Sequence, residues 1–246
     1  MFQIFNKKKF LVDHLDGFVD IHNHILPGID DGAKTVENSI EIIKGFTEFG
    51  CQKFIATPHI MHNYYPNDIG SITKSHLILT NALIMEGMLD ISIEASAEHM
   101  IDSNFELILE NGKVMPLAKN YLLVEMSYLQ ASINFEIAIQ KIASNRLFPI
   151  LARPERYVFL HNRLKKYRKY KEQGILFQLN FLSLTDFYGK EVQKTALKLL
   201  EENLIDFIAS DVHNDNQMNS IKSARVSKKT LDLIIPIINK TISNFS

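Results

Sequence analysis

Two pairs of metal-ligand side chains stand two positions apart, one pair near each end of the chain. The first pair is His22 and His24, and the second is Asp211 and His213. Each pair directly follows an apolar run that is typical of a β-strand, and residues two apart in a strand point to the same side. We therefore expect each pair to converge on one point beyond the carboxyl end of its strand, where α/β barrels place their active sites.

Further imidazoles and carboxylates follow other predicted strands. These candidate ligands are Asp30, Asp31, His59, Glu98 and Glu125. Mixed imidazole and carboxylate ligands suit Mn, Fe or Zn, whereas a ligand set without thiolates argues against a structural zinc site. Together with the two pairs, these side chains exceed the needs of one metal, so at least two ions are implied. Clustered ions of this kind generally carry out phosphoryl-transfer or hydrolytic chemistry.

Strand and helix patterns alternate along the chain and provide the scaffold for these side chains. The predicted strands are residues 17–21, 53–57, 90–96, 120–126, 147–152, 175–179 and 205–209. The predicted helices are residues 35–49, 71–87, 105–110, 135–145, 163–173, 191–202 and 227–242. About seven β/α units with no Pro-, Gly- or Ser-rich linker favour one parallel α/β barrel over two domains. The single domain covers residues 1–246, with residues 1–16 as an N-terminal extension.

Three of the helices carry specific predictions. The first should begin after Thr35 as its N-cap and stop at Gly50. The second offers Ile72, Leu77, Leu79, Leu83 and Ile84 to the core. The fifth, residues 163–173, is predicted to be a strongly basic helix that faces solvent.

Composition narrows the possible classes of protein. The chain has 246 residues, is 46% hydrophobic and 22% charged, and carries a net charge of -1 from 27 basic and 28 acidic residues. That balance of charge argues against a nucleic-acid-binding surface or a polybasic membrane-binding surface. The sequence contains no apolar stretch of about twenty residues, so no membrane-spanning helix is predicted. Cys51 is the only cysteine, which favours a reducing, cytoplasmic location and argues against a cysteine-nucleophile phosphatase.

Six short segments resemble a known family. They are residues 20–33, 56–59, 97–98, 123–125, 152–157 and 209–213. With them the chain resembles the polymerase-and-histidinol-phosphatase (PHP) superfamily, and within it the metal-dependent tyrosine-protein phosphatases of bacterial capsule and exopolysaccharide operons. The first segment, Asp20-Ile-His-Asn-His-Ile-Leu-Pro-Gly-Ile-Asp-Asp-Gly-Ala33, is specific to that phosphatase branch, whereas the others are shared across the superfamily.

The resemblance implies a distorted (β/α)7 TIM-like barrel that holds divalent ions, Mn with Fe or Zn as alternatives, in its mouth. The implied ligands of the first ion are His22, His24, Glu98 and Asp211. The implied ligands of the second ion are Asp31, His59 and His213. A third ion would be shared by Glu98, Glu125 and a histidine from an Ala-His-Pro-Glu-Arg motif. Asp30 is expected to support its loop rather than to bind metal.

The chain departs from that last motif, because it has Arg153 where the family has histidine. Arginine stays protonated and offers no lone pair, so it cannot replace the histidine as a ligand. Two ions are therefore expected, with the third position in question, and Arg153 is expected to project towards Glu98 and Glu125. Arg156 corresponds to the arginine that receives the substrate phosphate, a contact for which a guanidinium is well shaped. Arg153 is a second candidate for that contact.

The implied activity is hydrolysis of phosphotyrosine on protein, and the implied partner is the tyrosine-rich tail of a capsule-assembly kinase. The candidate catalytic residues are Asp31, His59 and Arg156. Two alternatives stay open: a small-molecule phosphomonoesterase of the histidinol-phosphate type, and a weakened homologue that binds phosphotyrosine without turnover. Arg153 is the residue that keeps the second alternative open. The sequence does not indicate an oligomeric state.

Overall fold

The computed structural model of the chain describes residues 8–246. The predicted N-terminal extension over residues 1–16 therefore lies partly outside the described residues. Its described part contains strand β1 (Lys9–Phe10), which pairs antiparallel with β11 (Arg225–Val226). Leu11 and Leu15 follow β1 and are fully buried in the core. This segment is thus packed against the rest of the molecule.

Within residues 8–246, the pairings between the other strands are all parallel. The remaining strands are β2 (Val19–Asp20), β3 (Lys53–Ala56), β4 (His59–Ile60), β5 (Ser92–Ala95), β6 (Glu98–Met100), β7 (Tyr121–Glu125), β8 (Phe148–Ala152), β9 (Leu176–Asn180) and β10 (Phe207–Ala209). They form a six-stranded sheet in the order β10-β9-β8-β7-β6-β4 and a three-stranded sheet in the order β2-β3-β5. The chain is therefore an α/β protein with parallel sheets, as the alternating sequence pattern predicts.

Two chain segments pass from the small sheet into the large one. β3 and β4 are separated only by Thr57-Pro58, and β5 and β6 only by Ser96-Ala97. Across these breaks the segments stay paired, because the Ser96 amide donates to Ala56 O at 2.8 Å and the Glu98 amide to Pro58 O at 3.0 Å. The prediction that the second strand ends at Pro58 misses β4, and β6 was likewise not predicted. His59 and Glu98 consequently stand on strands rather than in loops.

The far ends of the two sheets also meet. Asn23 and Val212 form an isolated parallel bridge. Beside it, the Asp211 amide donates to His22 O at 2.7 Å and the His24 amide donates to Val212 O at 2.9 Å. These bonds join the segments that follow β2 and β10, so the two predicted ligand pairs become direct neighbours.

Helices lie between the strands as predicted, with one addition. They are α1 (Val36–Thr47), α2 (Ile69–Met85), α3 (Phe105–Glu110), α4 (Phe135–Ser144), α5 (Leu164–Glu172), α6 (Lys190–Glu201), α7 (Asp215–Ser223) and α8 (Lys228–Phe245). The N-cap prediction for α1 is confirmed, because Thr35 Oγ1 accepts from the Asn38 amide at 3.3 Å. The predicted stop at Gly50 is also confirmed by its φ of +84°. α7 was not predicted.

The core excludes some side chains that the helix patterns offered to it. Leu77 and Ile84 of α2 are 58% and 56% exposed, so their prediction as core residues is wrong. Conversely, α5 is not solvated all round, since Tyr167 and Tyr170 are buried beneath its lysines. None of the helices that the structure describes is both long and apolar enough to span a bilayer.

Candidate metal centre

Four buried side chains meet where β2, β6 and β10 lead into the site. His22, His24, Glu98 and Asp211 are all fully buried. Nε2 of His22 lies 3.2 Å from Glu98 Oε2 and 3.3 Å from Asp211 Oδ1. Nε2 of His24 lies 3.6 Å and 3.4 Å from the same two oxygens. Two imidazole nitrogens and two carboxylate oxygens thus surround one point, which is the ligand set expected for the first ion.

A second cluster lies beside the first and is more open to solvent. It contains Asp31, His59 and His213, together with His24. Asp31 Oδ1 lies 3.4 Å from His59 Nε2 and 3.6 Å from His213 Nε2. The rings of His24 and His213 stack with their centroids 3.9 Å apart. The structure therefore brings together the residues expected for the second ion and places a ligand of the first ion next to them.

A third cluster joins His59, Glu98 and Glu125. His59 Nδ1 lies 3.2 Å from Glu98 Oε2 and 2.8 Å from Glu125 Oε1. An imidazole is thus present beside the two carboxylates, but it comes from β4 and not from the segment that carries Arg153. Within each of the three clusters, all the ligand atoms lie within 4.8 Å of one another.

Three donor atoms of the third cluster have no hydrogen-bond partner in the described part of the chain. His59 Nδ1, Glu98 Oε2 and Glu125 Oε1 are buried and lack a partner with hydrogen-bond geometry. Buried polar atoms without a partner are rare in folded proteins and call for an explanation. Glu98 Oε2 also faces the first cluster, so an ion held there would satisfy it, and imidazole with carboxylate is a ligand set that Mn, Fe and Zn accept.

The outer faces of the two central imidazoles are held by hydrogen bonds. Nδ1 of His22 donates to Gln178 Oε1 at 2.7 Å, and Nδ1 of His24 donates to Asp30 Oδ2 at 2.8 Å. These bonds leave both Nε2 atoms free to face the cluster, as is usual for histidines that bind metal. Burial disfavours the charged imidazole, but the charge of Asp30 and the hydrogen bonds to Asp211 and Asp30 together outweigh it and raise the pKa of His24 to about 9.

Asp30 also shapes its own loop, which confirms the expected supporting role. Its Oδ1 accepts from the Gly32 amide at 2.8 Å and its Oδ2 from the His59 amide at 3.1 Å. Gly32 is required there, because an added Cβ would come within 2.1 Å of His24 O. Asp30 and Gly32 therefore hold the loop against His24 and His59.

Arg153 fills the space between three carboxylates. Its Nη2 donates to Glu98 Oε1 at 2.8 Å and to Glu125 Oε2 at 2.6 Å, which confirms the expected direction of the side chain. Its Nη1 donates to both oxygens of Asp211 at 2.8 Å, a contact that was not predicted. Burial alone would raise the pKa of Glu98 and of Asp211, but the guanidinium holds the pKa of both carboxyls below the usual range.

Two residues of this network have a left-handed backbone. Arg153 has a φ of 49° and Asp211 a φ of 52°. Neither is glycine, so each conformation costs roughly 1 kcal/mol or more and must be held by its surroundings. Hydrogen bonds supply that support, since the Arg153 amide donates to Gln178 O at 2.9 Å and the Asp211 amide to His22 O at 2.7 Å.

A cavity of about 710 Å³ opens onto the second cluster. Its polar lining includes Asp31, His59, Glu125, Arg153, Arg156 and His213. Its apolar and aromatic lining includes Met61, Tyr64, Tyr65, Met100, Met126 and Tyr128. The volume lies within the range of small-molecule sites and far exceeds that of a phosphate group. The cavity therefore has room for a phosphorylated side chain as well as for its phosphate.

The sequence predicts no role for two residues of the site, Gln178 and Asn180. Gln178 holds His22, and Nδ2 of Asn180 donates to Asp211 Oδ2 at 2.9 Å. A signal for both exists, because they stand two apart in the otherwise apolar strand β9 and so face the same side. Cys51 is fully buried, burial raises the pKa of its thiol, and it is not among the residues that line the cavity.

The fold and the site together describe an α/β protein with a candidate metal centre at the ends of its parallel strands. A family model for capsular polysaccharide synthesis proteins, CpsB/CapC, matches residues 18–230, and the chain belongs to this family. The resemblance to the capsule-operon tyrosine phosphatases is thereby confirmed.

Individual relatives agree with this family. The chain is 30% identical over 202 residues to the tyrosine-protein phosphatase YwqE of Bacillus subtilis strain 168, covering 82% of this chain and 79% of the relative. It is 27% identical over 202 residues to the tyrosine-protein phosphatase CpsB of Streptococcus pneumoniae, covering 80% and 83%. It is also similar to a solved structure from a crystallographic description of YwqE and CpsB as metal-dependent tyrosine phosphatases. That match has a TM-score of 0.75, 29% identity and 81% coverage of each chain.

Proposed function

We propose that this chain is a metal-dependent phosphatase that hydrolyses phosphotyrosine on protein. The observation that carries the proposal is the buried imidazole–carboxylate cluster, which opens into a cavity that Arg156 also lines. Metal ligands and a guanidinium around one cavity are the groups that phosphoryl transfer requires, because catalysis there depends on positioning and on stabilising charge.

We assign two divalent ions to the centre, Mn with Fe or Zn as alternatives. The proposed ligands of the first ion are His22, His24, Glu98 and Asp211. The proposed ligands of the second ion are Asp31, His59 and His213. When bound, such ions activate water as a nucleophile and neutralise charge on phosphoryl oxygens. Asp31, His59 and His213 line the cavity, so the second cluster is the one next to the substrate.

We assign the position of a third ion to the side chain of Arg153. Its guanidinium places a positive charge between Glu98 and Glu125 and is only 2% exposed. Because both of its terminal nitrogens are engaged by carboxylates, we give the contact with substrate phosphate to Arg156, which is 19% exposed. A tyrosyl leaving group has a pKa of about 10 and departs more readily than an alkoxide, so the site can work without a strong general acid.

We also infer that the two sheets form a distorted (β/α)7 barrel. β3 with β4 and β5 with β6 are each one continuous path, which gives seven extended segments with β2, β7, β8, β9 and β10. The parallel bridge between Asn23 and Val212 supports contact between the first and the last of them. In this arrangement the candidate ligands stand at the carboxyl ends of the strands.

The activity itself is tested with the metal-loaded protein and two substrates. We expect kcat/KM to be higher for a phosphotyrosyl peptide taken from the tail of a capsule-assembly kinase than for histidinol phosphate. The reverse preference would indicate a small-molecule phosphomonoesterase. Binding of the peptide with no release of phosphate would indicate the weakened homologue. The proposed setting is the cytoplasm, which the unpaired Cys51 supports.

Replacing Arg156 with alanine is expected to lower kcat/KM by about 2–4 kcal/mol of transition-state stabilisation, the loss typical for one strong donor to developing charge. Bound metal should change little, since Arg156 contributes no ligand atom and Asp211 Oδ2 keeps its hydrogen bonds from Arg153 and Asn180. Steady-state kinetics and metal analysis check both statements. Arg163→Ala, which removes an exposed arginine outside the cavity, serves as the matched control. An unchanged kcat/KM in Arg156→Ala would mean that another residue holds the phosphate.

A further inference from the structure

The guanidinium of Arg156 lies over the rings of two tyrosines. Its Cζ lies 4.3 Å from the ring centroid of Tyr128 and 4.1 Å from that of Tyr188. Tyr128 follows β7, and Tyr188 stands just before α6, so the two rings come from separate loops. Both tyrosines and the arginine are half-buried. Two aromatic rings therefore contact the guanidinium at once.

Packing against aromatic rings leaves the N–H groups at the edge of the guanidinium for hydrogen bonds. Nη1 of Arg156 donates to Asp211 Oδ2 at 3.0 Å, which ties one corner of that edge to the metal centre. Asp211 Oδ2 also accepts from Arg153 and from Asn180, so this oxygen already has several donors. Because Arg156 and Tyr128 both line the cavity, the guanidinium edge is available to a ligand there.

We propose that Tyr128 and Tyr188 are positioning residues that clamp the Arg156 guanidinium and so present its edge to the substrate phosphate. This inference rests on the proposed function, since it assigns to the clamp the preparation of that phosphate contact. An unclamped arginine has many rotamers and loses entropy when it orders around a ligand. A guanidinium packed against two rings has lost much of that freedom already, and its planar contact with a ring is one that lysine cannot copy.

The hydroxyl groups are separable from the rings. The Tyr188 hydroxyl accepts from Asn180 Nδ2 and from Gln217 Nε2, each at 3.4 Å, which is long for a hydrogen bond. The clamp requires only the aromatic faces, so phenylalanine should preserve it at both positions. Leucine keeps much of the apolar volume and removes the π-face, so it should abolish the clamp.

The test measures binding of inorganic phosphate to the metal-loaded protein by calorimetry. We expect Tyr128→Leu and Tyr188→Leu each to weaken phosphate binding about two- to tenfold, the range for the cost of ordering one long side chain on binding. Tyr128→Phe and Tyr188→Phe should bind phosphate as the unmodified protein does. Metal content should be equal in all four variants. If a leucine variant fails to fold, the methionine variant at that position takes its place.

A double-mutant cycle with Arg156→Ala decides whether the rings act through the arginine. In that background the leucine substitutions should have no further effect on phosphate affinity. An equal loss with and without Arg156 would overturn the clamp, as would leucine variants that bind phosphate normally. Failure of the proposed function looks different: phosphate binding would depend on the clamp, but no phosphotyrosyl peptide would be hydrolysed.

Discussion

His22→Ala is expected to lose bound divalent metal and phosphatase activity together. The reason is that Nε2 of His22 faces both Glu98 Oε2 and Asp211 Oδ1, so its removal takes a donor from the centre of the first cluster. Loss of a residue that only supports a ligand typically costs about 10–100-fold in metal affinity, and loss of the ligand itself should cost more. Metal analysis after gel filtration, together with turnover of a phosphotyrosyl peptide, measures both effects.

The fold should survive in His22→Ala, because stability comes from the apolar strands and the ligands stand at strand ends. Circular dichroism checks this point. Two variants serve as controls. Gln178→Ala should lose less metal and activity, as expected for a residue that supports a ligand. His76→Ala, which lies outside all three clusters, should lose neither. Retention of metal content and turnover in His22→Ala would sink the assignment of the first ion.

Arg153→Ala is expected to destabilise the metal-free protein by about 3–5 kcal/mol, the usual effect of removing one partner from a buried ion pair. Glu98, Glu125 and Asp211 would be left close together without the guanidinium, and such carboxylates repel one another. Urea unfolding in the presence of a chelator measures the change. Added divalent metal should restore part of the loss, because a cation can then take the vacated position.

Arg168→Ala is the matched control for this experiment. That arginine pairs with Glu202 at 2.5 Å, but its side chain is 54% exposed, and exposed ion pairs contribute roughly 0–1 kcal/mol. If Arg153→Ala is no more destabilising than Arg168→Ala, the guanidinium is not needed to hold the carboxylates together.

Arg153→His tests the same position in the opposite direction. It would place an imidazole where the family has one, so metal stoichiometry should rise from two ions to three and turnover should increase. The unmodified protein provides the complementary measurement. Three tightly bound ions in it would refute the assignment of Arg153 to the third position. A histidine variant that gains neither metal nor turnover would show that the departure is compensated elsewhere.

Short-range patterns were enough to predict most helices and strands of this chain. α3 spans Phe105–Glu110 as predicted, and Thr35 caps α1 as predicted. Such features depend on side chains a few positions apart, so the local sequence contains the needed information. The i, i+2 spacing of His22 and His24 belongs to the same class, because a strand places alternate residues on one side.

Burial on helix surfaces was less predictable. Leu77 and Ile84 fit an apolar pattern yet are exposed, whereas Tyr167 and Tyr170 lie in a lysine-rich helix yet are buried. Periodicity shows which residues share a face, but the neighbouring elements decide which face is covered. The short strands β4 and β6 form by pairing with segments that are distant in the chain, so the local sequence pattern does not predict them.

The types of ligand, the departure at Arg153 and the candidate phosphate contact of Arg156 followed from the sequence and its family resemblance. Only the tertiary structure decided what these side chains touch. The partners of Arg153 are 28, 55 and 58 positions away in the chain, and the bidentate contact with Asp211 among them had no sequence signal. The same holds for the rings of Tyr128 and Tyr188, since they come from separate loops that meet only where parallel strands bring their carboxyl ends together.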